Sequence, residues 1–400
     1  MRVSLRLFDQ IILVTTVFPV VVFSLVASLV GFDTSNDSIG FQYYFMVIFV
    51  ASVLFIFGNI SKLVANDFKV LSLVSLFMTF PLMWQFFYSA LEGHPFFYKI
   101  SFIYIISTIP AFYVGYIFSR KYRFSENINT YCYPFLTLSI ALTLYLIYGF
   151  YTLGFAKSVI LSGQQLSYSF SFACGITLFM LHINNLLNKK ILTQDVLLYG
   201  LLILFALLLF YFRGRGAFVV LVVYLLLFYK ETFTSIKKSL VVVPILLIFY
   251  RALDRDFFDL VFSGSERIFG FIYNWIDNGF DLGVGTSKRD IVYLRAFDQI
   301  SENYITGLGP FSAWTIGNHP HNLFLDVLLQ YGVLLGGIII VALLIFLLLT
   351  LLKLRGATRS FFALLILFPI VQLQFSSSYL KSQLLFFALG FGLFHYFSKR

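Results

Sequence analysis

Charge is scarce in this sequence: Asp, Glu, Lys and Arg make up 12% of its 400 residues, about half the share of an ordinary soluble domain. A chain so poor in charge and 60% hydrophobic is not a soluble globular domain, and it reads as a membrane protein. It also lacks the apolar–polar alternation at every second position that a membrane β-barrel requires. Cysteine is nearly absent. Cys132 and Cys174 both fall in apolar segments, are too few for a zinc site alone, and say nothing of redox compartment. A cleavable leader is not expected, because the first apolar run is too long for a signal h-region and no small-residue cleavage site follows it. A phosphate-cradling Walker loop, a G-x-S-x-G nucleophile elbow, paired thiols and an Asp-x-Asp pair are missing too.

What is present is a succession of apolar windows. A hydrocarbon core of about 30 Å needs roughly 20 apolar residues per helix. Windows of that kind occur at 11–31, 41–60, 70–91 and 96–118. Others follow near 131–153, 166–187, 195–212, 216–236, 238–253, 330–352, 360–376 and 383–398. The expectation is an all-α polytopic bundle of about twelve transmembrane helices, forming one membrane domain over residues 1–400. The net charge of +10 suggests a nucleic-acid partner until its location is considered. With the N-terminus cytoplasmic, 17 of the 28 basic residues fall in short inner loops and chain ends, which satisfies the positive-inside rule. Both termini are then cytoplasmic, and no nucleic acid is implied.

One connection, about 251–320, breaks the rhythm of short loops and faces outward. It carries six basic and nine acidic residues, and loops of this length are uncommon unless functional or disordered. Its aromatics and glycines argue against disorder. Within it Ile291, Leu294, Phe297, Ile300 and Tyr304 recur at helical spacing, predicting an amphipathic helix that lies along the outer membrane surface or packs as a lid over the bundle.

Three groups of residues are candidates for chemistry. In "IGNHPHNLFLDVLLQYG", Pro320 suits a first helical turn, and Asn322, Asp326 and Gln330 form a polar stripe at i, i+4 and i+8. His321 would then sit in the first turn, where the helix dipole favours a neutral ring able to accept a proton. The same helix start is suited to an anion. On a purely structural reading, His319, His321 and Asn318 cap and anchor an interfacial helix. A metal on His319 and His321 is a third reading. In "YFRGRGAF", Arg213 and Arg215 open an apolar run of 14 residues, about 21 Å long. That run is short of the bilayer, so either Lys230 snorkels or the turn is drawn toward the interface. There, guanidiniums require phosphate or carboxylate partners. Lastly, Lys288, Arg289 and Arg295 bracket the amphipathic helix, which is followed by "GLGPF". Helical phase puts Arg295 at the edge of the apolar face, partly buried. Arg251 and Arg255 are further candidates without a motif.

At these residues the chain resembles the O-antigen polymerase and O-antigen ligase superfamily of bacterial envelope glycosyltransferases. The marks that carry the likeness are Arg215-Gly216 opening a span, Arg289 ahead of Gly307-Leu308-Gly309-Pro310-Phe311, and His321-Asn322 followed by Gly332. The family often has another glycine three residues further on; here Leu335 stands there and Gly336 follows. The marks span roughly 213–337. The resemblance implies a multi-pass protein of the bacterial inner membrane, with loop 251–320 periplasmic, acting on undecaprenyl-diphosphate-linked oligosaccharides in lipopolysaccharide or other polysaccharide biosynthesis. It implies His321, Arg215 and Arg289 as catalytic, and Arg213, Arg295, Asn322 and His319 as substrate-binding. No cofactor or metal is required. The partners would be the lipid-linked donor and acceptor, membrane lipids and a chain-length regulator. A ligase would transfer the glycan to lipid A core instead. A lipid-linked oligosaccharide flippase is the alternative from another class, although no internal repeat of the kind common in transporters is visible.

Overall fold

A computed structural model of the chain describes residues 2–30, 39–92, 98–153, 163–187, 193–212, 214–229, 289–311, 320–375 and 378–397. Every regular element among the described residues is helical. Eight helices are long and apolar enough to cross a membrane, at 42–62, 65–87, 100–121, 128–148, 165–184, 194–211, 323–353 and 356–373. The expected count of about twelve is therefore met in part. The windows near 216–236 and 383–398 are shorter helices, Arg215–Leu227 and Gln383–Phe397. The window near 238–253 lies outside the described residues. The first window is divided into Arg2–Val17 and Pro19–Val30, because Pro19 has no N–H to donate and disfavours helical dihedrals at Phe18 before it.

The chain forms two compact units, one of Met1–Val20, Asn36–Asn127 and Leu282–Arg400, the other of Val21–Ser35 and Ile128–Asp281. In the first, the helix running from Tyr98 through a π-turn at Tyr104–Thr108 to Lys121 packs along Gln383–Phe397. Small residues allow the close approach: a Cβ on Gly115 would lie 2.3 Å from the Phe387 carbonyl oxygen, and one on Gly390 would lie 2.1 Å from that of Phe112. Between apolar helices in lipid, where water supplies no driving force, such contact is what holds a pair together. Phe124 stacks on Phe361 at 4.5 Å, closing the same core. At the Lys121 end, charge is paired rather than exposed. Asp9, which is buried, receives Lys121 and, at 2.5 Å, the Tyr122 hydroxyl. Asp67 accepts from Tyr116 at 2.7 Å and from the Val64 amide at 2.9 Å, with Arg120 at 3.5 Å. Burial and the Asp9 carboxylate hold the Tyr122 phenol above its ordinary value, so it stays a donor.

The second unit is built by Ile128–Leu153, Gly163–Leu187, Thr193–Tyr211 and Arg215–Leu227. Phe170 stacks on Phe205 and Phe212 at 6.0 and 6.1 Å. Ser171 donates to the Ala217 carbonyl at 2.9 Å, tying the start of the last helix to its neighbour.

The longest helix, Leu323–Lys353, holds a break. Its 31 residues would measure about 46 Å if straight, far more than the hydrocarbon core. Gly332 has φ 73° and ψ 175°, a region that only glycine adopts readily. A Cβ on Gly336 would lie 3.0 Å from the Val327 carbonyl oxygen, so the halves meet at a sharp bend. Because of the bend, helical bonds around Gly332 are replaced by bonds to the segment 304–309. The Leu329 carbonyl accepts from Leu308 N–H at 2.8 Å, that of Gln330 from Gly309 N–H at 3.0 Å, and Val333 N–H donates to the Tyr304 carbonyl at 2.8 Å. At Gly332 a Cβ would lie 2.5 Å from the Ile305 carbonyl oxygen. Gly332→Ala is therefore expected to destabilise the first unit by at least about 1–3 kcal/mol, whereas Gly337→Ala, which meets nothing within 4 Å, should be close to neutral. Thermal unfolding of both variants in detergent checks this, and equal stability for the two would contradict it.

Candidate functional site

The half-helix Leu323–Tyr331 begins with a cap. Asn322 is extended (φ −143°, ψ 121°), and its Oδ1 accepts from the amides of Phe324 and Leu325 at 3.0 and 3.1 Å. The helix thus starts three residues later than Pro320 suggested. His321 precedes the cap instead of lying in the first turn, because the Asn322 side chain supplies the acceptor that ends the run of orphan amides. That oxygen also occupies the place an anion would take at the helix start. His321 is half-buried with its Nδ1 buried, and its φ is 49°. Among the described residues only Phe311 (φ 68°) is likewise a non-glycine with positive φ. These two flank residues 312–320, and such strain tends to be kept where the surrounding structure uses it.

The polar stripe expected on this helix is real, and it faces protein. Asp326 is fully buried. Gln330 Nε2 donates to its Oδ1 at 2.6 Å, and Ser378 Oγ to its Oδ2 at 2.8 Å. Tyr379 donates to Gln330 Oε1 at 2.9 Å. The enclosure of its hydroxyl, the neighbouring Tyr331 and the Asp326 carboxylate hold the Tyr379 phenol well above its ordinary value, so it remains a donor. Thr108 donates to the Leu380 carbonyl at 2.8 Å, which ties this network to the π-turn. Next to it, Tyr104 meets the Phe311 ring edge-on at 5.8 Å and donates to the Met78 carbonyl at 2.9 Å.

The loop helix is Arg289–Glu302, as expected, and Arg289 is its first residue. Its buried side differs from the one predicted. Ala296 and Ile300 are buried and Tyr293 partly so, with Ile300 and Tyr293 in one apolar cluster with Leu325, Leu328 and Leu329, while Ile291, Leu294, Phe297 and Tyr304 are exposed. Arg295 is exposed as well. It had been placed at an apolar edge, but the face chosen for packing runs through Tyr293, Ala296 and Ile300, on another side of the helix.

His321, Asn322, Arg289 and Arg295 belong to the first unit, and Arg215 to the second. Arg215 opens the helix Arg215–Leu227 and is half-buried. The Gly214 ahead of it lies where a Cβ would meet that of Ser167 at 2.3 Å. Arg213, His319, Asn318, Lys288, Arg251, Arg255 and Lys230 lie outside the described residues. Ser378 and Tyr379 were not anticipated. Their only local sign is a serine run, "SSSY", between two spans, and their partners stand about 50 residues earlier in the chain.

Searches against protein-family models, curated proteins and solved structures find no match to this chain.

Asp326→Ala removes the acceptor of both Ser378 and Gln330 and is expected to destabilise the first unit by about 1–3 kcal/mol. Tyr379→Phe, which removes one donor at the edge of the network, should have the smaller effect, about 0.5–1.5 kcal/mol. Thermal unfolding that ranks them in the opposite order would show that the network does not centre on Asp326.

Proposed function

We propose that this protein is a glycosyltransferase that polymerises undecaprenyl-diphosphate-linked oligosaccharide repeat units into a surface polysaccharide at the periplasmic face of the bacterial inner membrane. One observation carries the reading: the segment Gly307–Phe311 is bonded to the helix break at Gly332. Two of the marks on which the family resemblance rests thus form one bonded element, at the far end of the half-helix that His321 precedes. The strained backbone of His321 and the buried polar network beneath it are further support. The multi-pass character follows from eight apolar helices of spanning length.

On this reading the bond between the anomeric carbon of the growing glycan and its diphosphate oxygen breaks, and a bond forms from that carbon to a hydroxyl of the incoming repeat unit. His321 takes the hydroxyl proton. Arg289 offsets the charge that develops on the departing undecaprenyl diphosphate, and the resemblance gives Arg215 the same role. Arg213, Arg295 and His319 contact the phosphates or sugars. Asn322 acts mainly by capping the start of the helix, so that His321 precedes its first turn. Positive charge from arginines makes no metal necessary, and a chain-length regulator is a compatible partner.

A ligase transferring the glycan to lipid A core would use the same groups, so the test is made to separate the two. In a deletion strain restored with wild type, His321→Ala, Arg215→Ala or Arg289→Ala at equal membrane levels, surface polysaccharide is resolved by length. The expected pattern is core bearing a single repeat unit in the deletion and in the alanine variants, since a positioned base contributes roughly 10²–10⁴-fold. Bare core with long lipid-linked polymer accumulating would establish a ligase. Loss of all periplasmic lipid-linked units would point to a flippase, and full ladders from every variant would remove these residues from the site.

A further inference from the structure

The helix Arg289–Glu302 presents three kinds of surface. At about 100° per residue, Val292, Tyr293, Ala296 and Ile300 share one arc, the side packed against the half-helix Leu323–Tyr331. Leu294 and Phe297 lie about 60° apart on the next arc, with position 290 of the first turn and Ser301 between them, the Ser301 hydroxyl being taken up by the Asp298 carbonyl at 2.7 Å. They are 64% and 55% exposed, an unfavourable state in water for two large apolar side chains. Asp298, Glu302 and Arg295 fall together on the arc after that, about 60° wide in all, and all three are exposed. A helix between protein and water alone needs only the first and last of these arcs.

The middle arc is continuous with an apolar surface elsewhere in the unit. On Val333–Lys353 the residues Leu334, Ile338, Val341, Ile345, Leu348 and Leu352 are all exposed. Their spacing of three and four puts them on one face. The bond from Val333 N–H to the Tyr304 carbonyl fixes Tyr304 and Ile305 beside the head of that row, and Ile305 is itself 69% exposed. Depth is consistent with this. The 21 residues from Val333 to Lys353 cover about 31 Å, the thickness of the hydrocarbon core. Gly332 therefore marks the core's edge, and the loop helix, held at that point, lies at the same level.

We infer that Arg289–Glu302 is an in-plane interfacial helix, with Leu294 and Phe297, together with Tyr304 and Ile305, inserted among the lipids of the leaflet on the His321 side. Arg295, Asp298 and Glu302 are left at the water boundary, at headgroup level. Of the two expectations for this helix, packing is seen on the side against Leu323–Tyr331, and lying along the membrane surface is what this inference assigns to the adjoining arc. The inference does not depend on the reaction proposed above.

Nitroxide labels at Leu294→Cys, Phe297→Cys, Arg295→Cys and Asp298→Cys, in a background with Cys132→Ala and Cys174→Ala, test it in vesicles of phosphatidylethanolamine and phosphatidylglycerol. Collision rates with oxygen and with a water-soluble nickel chelate are compared at each site. The expected result is oxygen dominant at 294 and 297 and nickel dominant at 295 and 298. Nickel dominance at 294 and 297 overturns the inference. Low access to both reagents there also overturns it, and would mean that protein covers the arc, the undescribed residues 230–288 being the first candidates. A second probe avoids the cysteine background: added fluorescence from Phe297→Trp should be quenched by lipids brominated on their acyl chains, and an unquenched signal contradicts the insertion.

Discussion

A helix interrupted at the edge of a bilayer exposes carbonyls and amides that lipid cannot satisfy, at several kilocalories per mole for each group left bare. In this protein the interruption is at Gly332, and the main chain of Tyr304–Gly309 takes up the released groups one by one. Much of the first unit near His321 depends on that exchange. It separates a half-helix from the span that follows and fixes the loop helix to the half-helix. It also sets the level of the loop helix along the apolar helix that ends at Lys353. A continuous helix would carry Asn322 about 46 Å from Lys353, well outside any bilayer. The sharp bend instead folds the half-helix back on the span, with Val327 against Gly336.

Two polar clusters of the first unit lie toward the two ends of the helix pair Tyr98–Lys121 and Gln383–Phe397. One end holds Asp9, Asp67, Arg120 and Lys121 in closed pairs. The other holds Asp326, Gln330, Ser378 and Tyr379 in a network where Gln330 and Ser378 donate to the Asp326 carboxylate and Tyr379 donates to Gln330 Oε1. The first arrangement neutralises charge and closes a core. The second holds the element that carries His321, and a buried network of this kind fixes geometry only when its members are satisfied. The difference is why one end reads as a clasp and the other as a site.

Much of this was legible in the sequence, for reasons that differ from residue to residue. The spans announce themselves because length and apolarity are local properties. The polar stripe at Asn322, Asp326 and Gln330 and the helix 289–302 follow from periodicity alone. Pro19 was visible, yet the run around it was apolar enough to pass as one span. The start of the half-helix was misplaced at Pro320 because a proline and an asparagine compete for that role, and the asparagine supplies the hydrogen bonds. Arg295 was placed on the wrong side because apolar residues occupy two arcs of its helix, and periodicity does not say which arc meets protein. Gly332 and Gly307 were both evident as glycines of a motif. That they touch depends on chain separated by more than twenty residues, which no local pattern encodes. Ser378 and Tyr379 were invisible for the same reason.

The central claim is that Gly307–Gly309 and Leu329–Gly332 form one bonded unit. Leu308 and Leu329 are joined by a main-chain bond of 2.8 Å and belong to the same buried cluster, so a cysteine at each should lie within disulfide range. In native membranes, mild oxidation of the double variant Leu308→Cys, Leu329→Cys should give an intramolecular crosslink, detected as a reducible mobility shift or by mass spectrometry of the joined peptides. Either single variant should give none. Failure of the double variant to crosslink, with both thiols still reactive to maleimide after unfolding, would contradict the account.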